Sequence, residues 1–241
     1  MTGKKYWQFK AKADSAADLY LYEEIASWGG GYEAHSAKSF KNELDQLGDI
    51  QTLNVFINSP GGDVFEGVAI YNMLKRHQAH VHVHVDGIAA SVASVIAMAA
   101  DTIHMPSNAM MMIHNAWMIT AGDFNELRET ANRLEKINES LIQCYVDRAG
   151  GALSEDELKQ LLNEESWLSA TECVDYGFCD TIEKAVDMAA FSKQSLVGRY
   201  DKTPKELFNQ KPLPEDRSFR EKLMKNALEN AQAVKTYLGG L

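Results

Sequence analysis

Between Thr52 and His114 the sequence alternates short strand-forming runs with helix-length segments, and this alternation restricts the chain to few folds. Thr52 to Asn58 (TLNVFIN) is β-rich and stops at Ser59-Pro60-Gly61-Gly62, the mark of a strand entering a sharp turn. Val68, Ile70, Tyr71 and Leu74 then place apolar groups on one helical face up to about Arg76. A second strand is predicted from His80 to Val85, with Gly87 ending it. Ser91 to Ala100 (SVASVIAMAA) is apolar on nearly all sides, as a helix packed inside a protein must be. Thr102 to Met105 and Ala109 to His114 read as two further short strands. Strand, helix, strand, helix, strand is the pattern of an α/β domain with parallel crossovers.

The flanking segments fit around this unit. Asp18 to Ile25 (DLYLYEEI) alternates with period two, a half-buried strand, and Gly29, Gly30 and Gly31 break it. Ala37 to Leu47 is predicted helical. Phe124, Leu127, Ala131, Leu134, Ile137, Leu141 and Tyr145 recur at spacings of three and four, which predicts a long helix from Asp123 to Arg148, stopped by Gly150-Gly151. Ser154 with Glu157, and Ser169 with Glu172, have the form of capping boxes that open two short helices, the second ending at Gly177. Phe178 to Ile182 reads as a last strand. From about Ser192 the sequence turns polar and proline-bearing, and Phe219, Leu223, Ala227, Ala231, Val234 and Leu238 then form a modest apolar stripe. The reading is one main domain over residues 1–190, followed by a linker and helical tail over 191–241.

A chain of 241 residues with 45% hydrophobic content can bury one sizeable core. Its formal net charge of -10 lacks the basic footprint of a nucleic-acid binder and argues against anionic membranes as partners. The start, MTGKKYWQFK, has no apolar run after its charges and does not read as a secretory signal, so a cytoplasmic location is expected. Ile88 to Ala100, the longest strongly apolar run, is too short to cross a bilayer. Cys144, Cys173 and Cys179 are odd in number and lack metal-ligand spacing, which suits a reducing compartment.

Ser91 is the leading candidate for chemistry. It follows Gly87-Ile88-Ala89-Ala90, where a strand gives way through small residues to a buried helix, so another backbone can approach its hydroxyl. The helix start offers unpaired amides, that of Val92 first, to an anion forming on an attacked carbonyl. A plain N-cap serine fits the local sequence equally well. The turn at Gly61-Gly62 lies at the carboxyl end of a strand, where ligands bind in open α/β sheets, and would leave the Gly62 amide as a second donor; such a donor contributes about 3 kcal/mol in acyl transfer. His114, at the end of MMMIH, would sit at a strand terminus facing Ser91. Glu164 and Glu165 offer a carboxylate to hold its imidazole. His80, His82 and His84 alternate with valines; a zinc site needs more ligands than these supply, and Val81, Val83 and Val85 are expected in the core. Met110, Met111 and Met112, with Trp117, fit either a core or an apolar specificity pocket.

Taken together, INSPGGDVFEG (Ile57 to Gly67), DGIAASVAS (Asp86 to Ser94), MIH (Met112 to His114) and ESWLSATECVDYGFCD (Glu165 to Asp180) resemble the ClpP family of serine proteases in content, order and spacing. The resemblance covers about Leu19 to Glu183. It implies the ClpP/crotonase fold, stacked β-α-β units with a protruding handle helix over Asp123 to Arg148. It further implies Ser91 as nucleophile, His114 as base, and Gly62 and Val92 as oxyanion-hole amides, with no metal or organic cofactor. The family commonly has aspartate as third member of its triad where this sequence has Glu165, so a glutamate would orient the imidazole here.

The resemblance points to a subgroup as well. The usual opening segment, the axial loop and the region that docks an ATP-driven unfoldase are not recognisable, while SPGGDVFEG, IHNAW and ESWLSA are similar to the head maturation proteases of tailed phages and prophages. This implies an ATP-independent endopeptidase acting on scaffold and capsid proteins, in the bacterial cytoplasm or inside a prohead. It also implies homo-oligomeric rings of six or seven subunits, possibly doubled. The competing expectations are a Clp proteolytic subunit that works with an unfoldase, a crotonase-type acyl-CoA enzyme, and an inactive assembly protein.

Overall fold

The computed structural model describes residues 5–26, 36–185, 199–200 and 202–204. The predicted linker and tail over 191–241 lie almost wholly outside the described residues. The described residues of Met1–His114 and Ser140–Phe191 form one packed unit, and Asn115–Glu139 belongs to a second.

The first unit is built on one eight-stranded sheet. Its strands are β1 (Trp7–Ala11), β2 (Ala16–Leu21), β3 (Thr52–Ser59), β4 (His80–Ala90), β5 (Thr102–Pro106), β6 (Met110–Ile113), β7 (Ser166–Ser169) and β8 (Thr181–Glu183). The main path runs β1-β2-β3-β4-β5-β8, antiparallel between β1 and β2 and parallel thereafter. Helices α1 (Ala37–Asp45), α2 (Val64–Lys75), α3 (Val92–Ala97), α5 (Glu155–Asn163) and α6 (Ala170–Asp175) connect the strands. The 26-residue α4 (Phe124–Ala149) extends from the second unit into the first, one residue offset from the predicted helix at each end. The mixed α/β architecture agrees with the fold expected from the sequence.

Alternation explains the layering. In β3 and β4 the side chains of Leu53, Val55, Ile57, Val81, Val83 and Val85 are excluded from solvent, whereas Asn54, Phe56, His82 and His84 on the opposite face stay half-buried. The valines of the HVHVHV run are therefore core, as expected. The imidazoles of His82 and His84 stack on that of His104, and His84 in turn stacks on Phe56. Among the described residues no group of three His, Cys, Asp or Glu is arranged to hold a metal.

Several elements differ from the sequence reading. The sequence does not predict strand β1, because a five-residue edge strand that buries only its first residue carries little alternation. Strand β7 occupies the approach to the Ser169 capping box, where the sequence pattern predicts no element. Strand β4 continues past Gly87 to Ala90, because the residues after Asp86 leave β5 and pair with β6: His82↔Thr102 and His84↔His104 give way to Ile88↔Met110 and Ala90↔Met112. Its register against β3 also slips, from Ile57↔Val85 to Ser59↔Ala89. The buried Asn58 side chain accepts the Ile88 amide at 3.3 Å inside this irregularity, satisfying a donor that the ladder leaves out. The slip carries the end of β4 up to the glycine turn after β3. Ser169 and Glu172 do form a full capping box, while at Ser154 the side chain caps the Glu157 amide.

Candidate active site

Ser91 occupies the N-cap position of α3, but its side chain makes no capping bond. Its backbone lies at φ 54°, ψ -130°, a conformation that costs a non-glycine residue about 1–3 kcal/mol and that surrounding structure must impose. Three hydrogen bonds hold it: the Ser91 amide donates to the Met112 carbonyl at 2.8 Å, and the Ser91 carbonyl accepts from the Ser94 amide at 2.9 Å and from Ser94 Oγ at 2.6 Å. The outcome is a sharp strand-to-helix turn that projects the hydroxyl. Its partner is His114, whose Nε2 lies 2.7 Å from Ser91 Oγ. His114 directly follows β6, which pairs with the last residues of β4, and this adjacency brings the two side chains together across 23 residues.

The glycine turn after β3 packs against this elbow. Gly61 has φ +83°, and a Cβ there would lie 2.5 Å from the Ala90 carbonyl oxygen and 2.7 Å from Ser91 Cβ. At Gly62 a Cβ would lie 1.9 Å from the Ile25 carbonyl oxygen. Ile25 bridges to Gly62 in parallel fashion, donating to the Gly61 carbonyl at 2.9 Å and accepting from the Asp63 amide at 2.6 Å. That pattern uses the residues on either side of Gly62 and turns the Gly62 N–H away from Ile25. Among the described residues, neither the Gly62 nor the Val92 N–H donates to another protein group. The position of a Cβ on Gly61 lies 3.2 Å from the Val92 nitrogen, so turn and elbow are in direct contact.

The two carboxylates differ. Strand β7 pairs antiparallel with β6, Ile113↔Ser166 and Met112↔Trp167, so the next positions along this register are His114 and Glu165. Glu165 is half-buried at φ 53°. Glu164 caps α5, is exposed, and accepts from Gln160 Nε2 at 3.1 Å. Met111 and Met112 are fully buried core residues. All three cysteines are free and buried, and burial pushes each thiol pKa upward, away from a reactive thiolate.

Two residues near the site escaped the sequence reading. Ser94 and Tyr145 are buried and joined at 2.7 Å between their hydroxyls, directly behind the Ser91 carbonyl. Ser94 lies in an apolar run and Tyr145 in an apolar helical stripe, so each reads as ordinary core.

Comparison with known proteins places the chain among the peptidases. The Clp protease family model matches residues 10–186, and the chain belongs to that family. It is similar to the ATP-dependent Clp protease proteolytic subunit of Deinococcus radiodurans, with 27% identity over 180 residues, 71% of this chain and 87% of the relative. The protein of the same name from Bacteroides fragilis is 27% identical over 153 residues, 63% of this chain and 73% of the relative. The proteolytic subunit 1 from Salinibacter ruber is 26% identical over 141 residues, 58% of this chain and 60% of the relative. Among the described residues no helix is long and apolar enough to cross a membrane.

Proposed function

We propose that this Clp-family peptidase is a serine endopeptidase with Ser91 as nucleophile and His114 as general base. The observation that carries the reading is the 2.7 Å approach of His114 Nε2 to a serine hydroxyl held on a strained backbone turn. In this reading Ser91 Oγ attacks a peptide carbonyl carbon while its proton passes to Nε2. Negative charge then develops on the carbonyl oxygen, to which the Gly62 and Val92 amides donate. His114 returns the proton to the leaving amine as the C–N bond breaks, and water, deprotonated by the same imidazole, hydrolyses the acyl-enzyme. Glu165 orients the ring and stabilises the imidazolium. No step requires a metal or an organic cofactor.

The finer assignment is to the head maturation proteases of tailed phages, cutting scaffold and capsid proteins without ATP. It is supported by the spellings SPGGDVFEG, IHNAW and ESWLSA. The names of the relatives favour a second reading, a proteolytic subunit that depends on an ATP-driven unfoldase. Either enzyme would work as a homo-oligomeric ring of six or seven subunits. Exposed apolar groups at Trp117, Met118, Ile119, Phe124 and Leu127 in the second unit suit contacts between copies.

A fluorophosphonate probe with intact-mass readout tests the chemistry. One adduct per chain that disappears in Ser91→Ala is expected; no adduct on the assembled wild type would overturn the serine-peptidase reading and shift weight to an acyl-CoA enzyme or an inactive assembly protein. Digestion of a scaffold-bearing prohead preparation without nucleotide separates the two biological roles. Cleavage that appears only with ATP and an unfoldase would favour the second.

A further inference from the structure

The Ser91–Val92 peptide group has two ends, and the structure holds only one of them. The bond is trans and planar, so the Ser91 carbonyl and the Val92 N–H point in opposite directions and cannot turn independently. Ser94 fixes the carbonyl end twice, through its amide at 2.9 Å and its hydroxyl at 2.6 Å. A serine has one hydroxyl hydrogen, and here it is directed to the Ser91 carbonyl. The Tyr145 phenol, 2.7 Å from Ser94 Oγ, is then the donor in that second bond. Tyr145 is 1% exposed, and burial pushes its pKa far above the ordinary tyrosine value, so it stays protonated and able to donate.

We infer that Ser94 and Tyr145 are positioning residues for the reaction: by clamping the Ser91 carbonyl they aim the Val92 N–H at the oxyanion. This rests on the serine-peptidase reading above. Neither side chain reaches the substrate; Ser94 acts through the Ser91–Val92 peptide, and Tyr145 acts through Ser94. The arrangement also accounts for a buried pair of hydroxyls in a helix-to-helix contact that apolar residues could fill. Donation from Tyr145 strengthens the bond that Ser94 gives onward, because consecutive hydrogen bonds polarise one another.

The test compares wild type, Ser94→Ala, Tyr145→Phe and the double variant on a peptide substrate and on a peptide boronic acid. The boronate forms a bond from Ser91 Oγ to boron, and the resulting tetrahedral anion presents an oxygen to the Val92 amide. Loss of a whole oxyanion donor lowers kcat by about 10²- to 10³-fold, so a misaimed one should lose about 10- to 100-fold in Ser94→Ala. A loss of about 3- to 10-fold is expected in Tyr145→Phe. KM should change less than twofold, boronate affinity should fall in step with kcat, and fluorophosphonate should still reach one adduct per chain, more slowly. Tyr145→Phe should add nothing once Ser94 is gone. Wild-type kcat and boronate affinity in folded Ser94→Ala or Tyr145→Phe would overturn the inference and leave the peptidase reading intact. A wild type inert to both probes would remove that reading and the inference with it. If Ser94→Ala does not assemble, the kcat-to-boronate correlation in Tyr145→Phe decides alone.

Discussion

Ser91 carries its hydroxyl on a backbone conformation that favours glycine, so strain is stored at the proposed nucleophile. Substituting Ser91 by alanine or by glycine should abolish turnover alike, on the order of a 10⁶-fold loss in kcat. The two variants should differ in stability. Glycine relieves the strain and alanine does not, so Ser91→Gly should be about 1 kcal/mol more stable than Ser91→Ala in urea denaturation; equal midpoints would mean that the turn is unstrained. The carboxylates give a second contrast. Glu165→Gln should lower kcat by about 10²- to 10⁴-fold through the wrong imidazole tautomer, whereas Glu164→Gln, an exposed change beside Gln160, should stay within about twofold. Peptide kinetics on both variants decides between them. At this scale the sequence was informative where chemistry and backbone coincide: the small residues of GIAAS advertise an elbow, and MIH advertises a strand end. Ser94 and Tyr145 were not legible, since 51 residues separate them and only the packed fold brings the hydroxyls together.

Strand β4 is the element on which the site depends, because it changes neighbours midway and slips against β3 where Asn58 fills the gap. Alternation in HVHVHV revealed its first half. The second half, GIAA, has small residues with no period, and only its new partner β6 defines it as strand. The helix that follows, α3, is shorter than the apolar run suggested, since Met98 to Ala100 bond in tight turns. It lies so close to α2 that a Cβ on Gly67 would sit 2.2 Å from Val92 Cγ2. Valine is β-branched and stiff, so it cannot swing aside without moving its own backbone. Gly67→Ala should therefore destabilise the fold by about 1–3 kcal/mol and lower kcat as well, because the residue displaced carries the proposed oxyanion amide. A thermal or urea titration alongside peptide kinetics checks both. Unchanged kcat with lowered stability would show that α3 absorbs the clash away from Val92.

At the scale of the whole sheet, a row of stacked rings runs from Tyr20 through Phe56 and His84 to His104. The order of strands and helices in the middle of the chain was readable because its apolar runs match single elements, except Ile88 to Ala100, which is shared between β4 and α3. The stacking was not, since it joins residues of four strands whose register no single segment encodes. Stacked imidazoles make the sheet acid-sensitive. Burial and then repulsion from His80 and His104 lower the His82 pKa below 6.5, against the pull of Asp101. Burial and then repulsion from His104 lower that of His84, with His82 adding to the effect and Glu183 and Asp18 opposing it. A depressed histidine pKa means that the unfolded chain takes up protons first as pH falls. Stability is then full above about pH 6.5, the ordinary histidine value, declines as pH falls below it, and levels off once the folded protein is protonated too. Wild-type Tm should accordingly drop between pH 7.5 and pH 5.5. In His82→Gln/His84→Gln the slope of Tm against pH over that interval should be shallower, whatever the variant's Tm at pH 7.5. Parallel slopes would show that the acid response arises outside the imidazole row, for instance at His77, whose pKa burial also lowers.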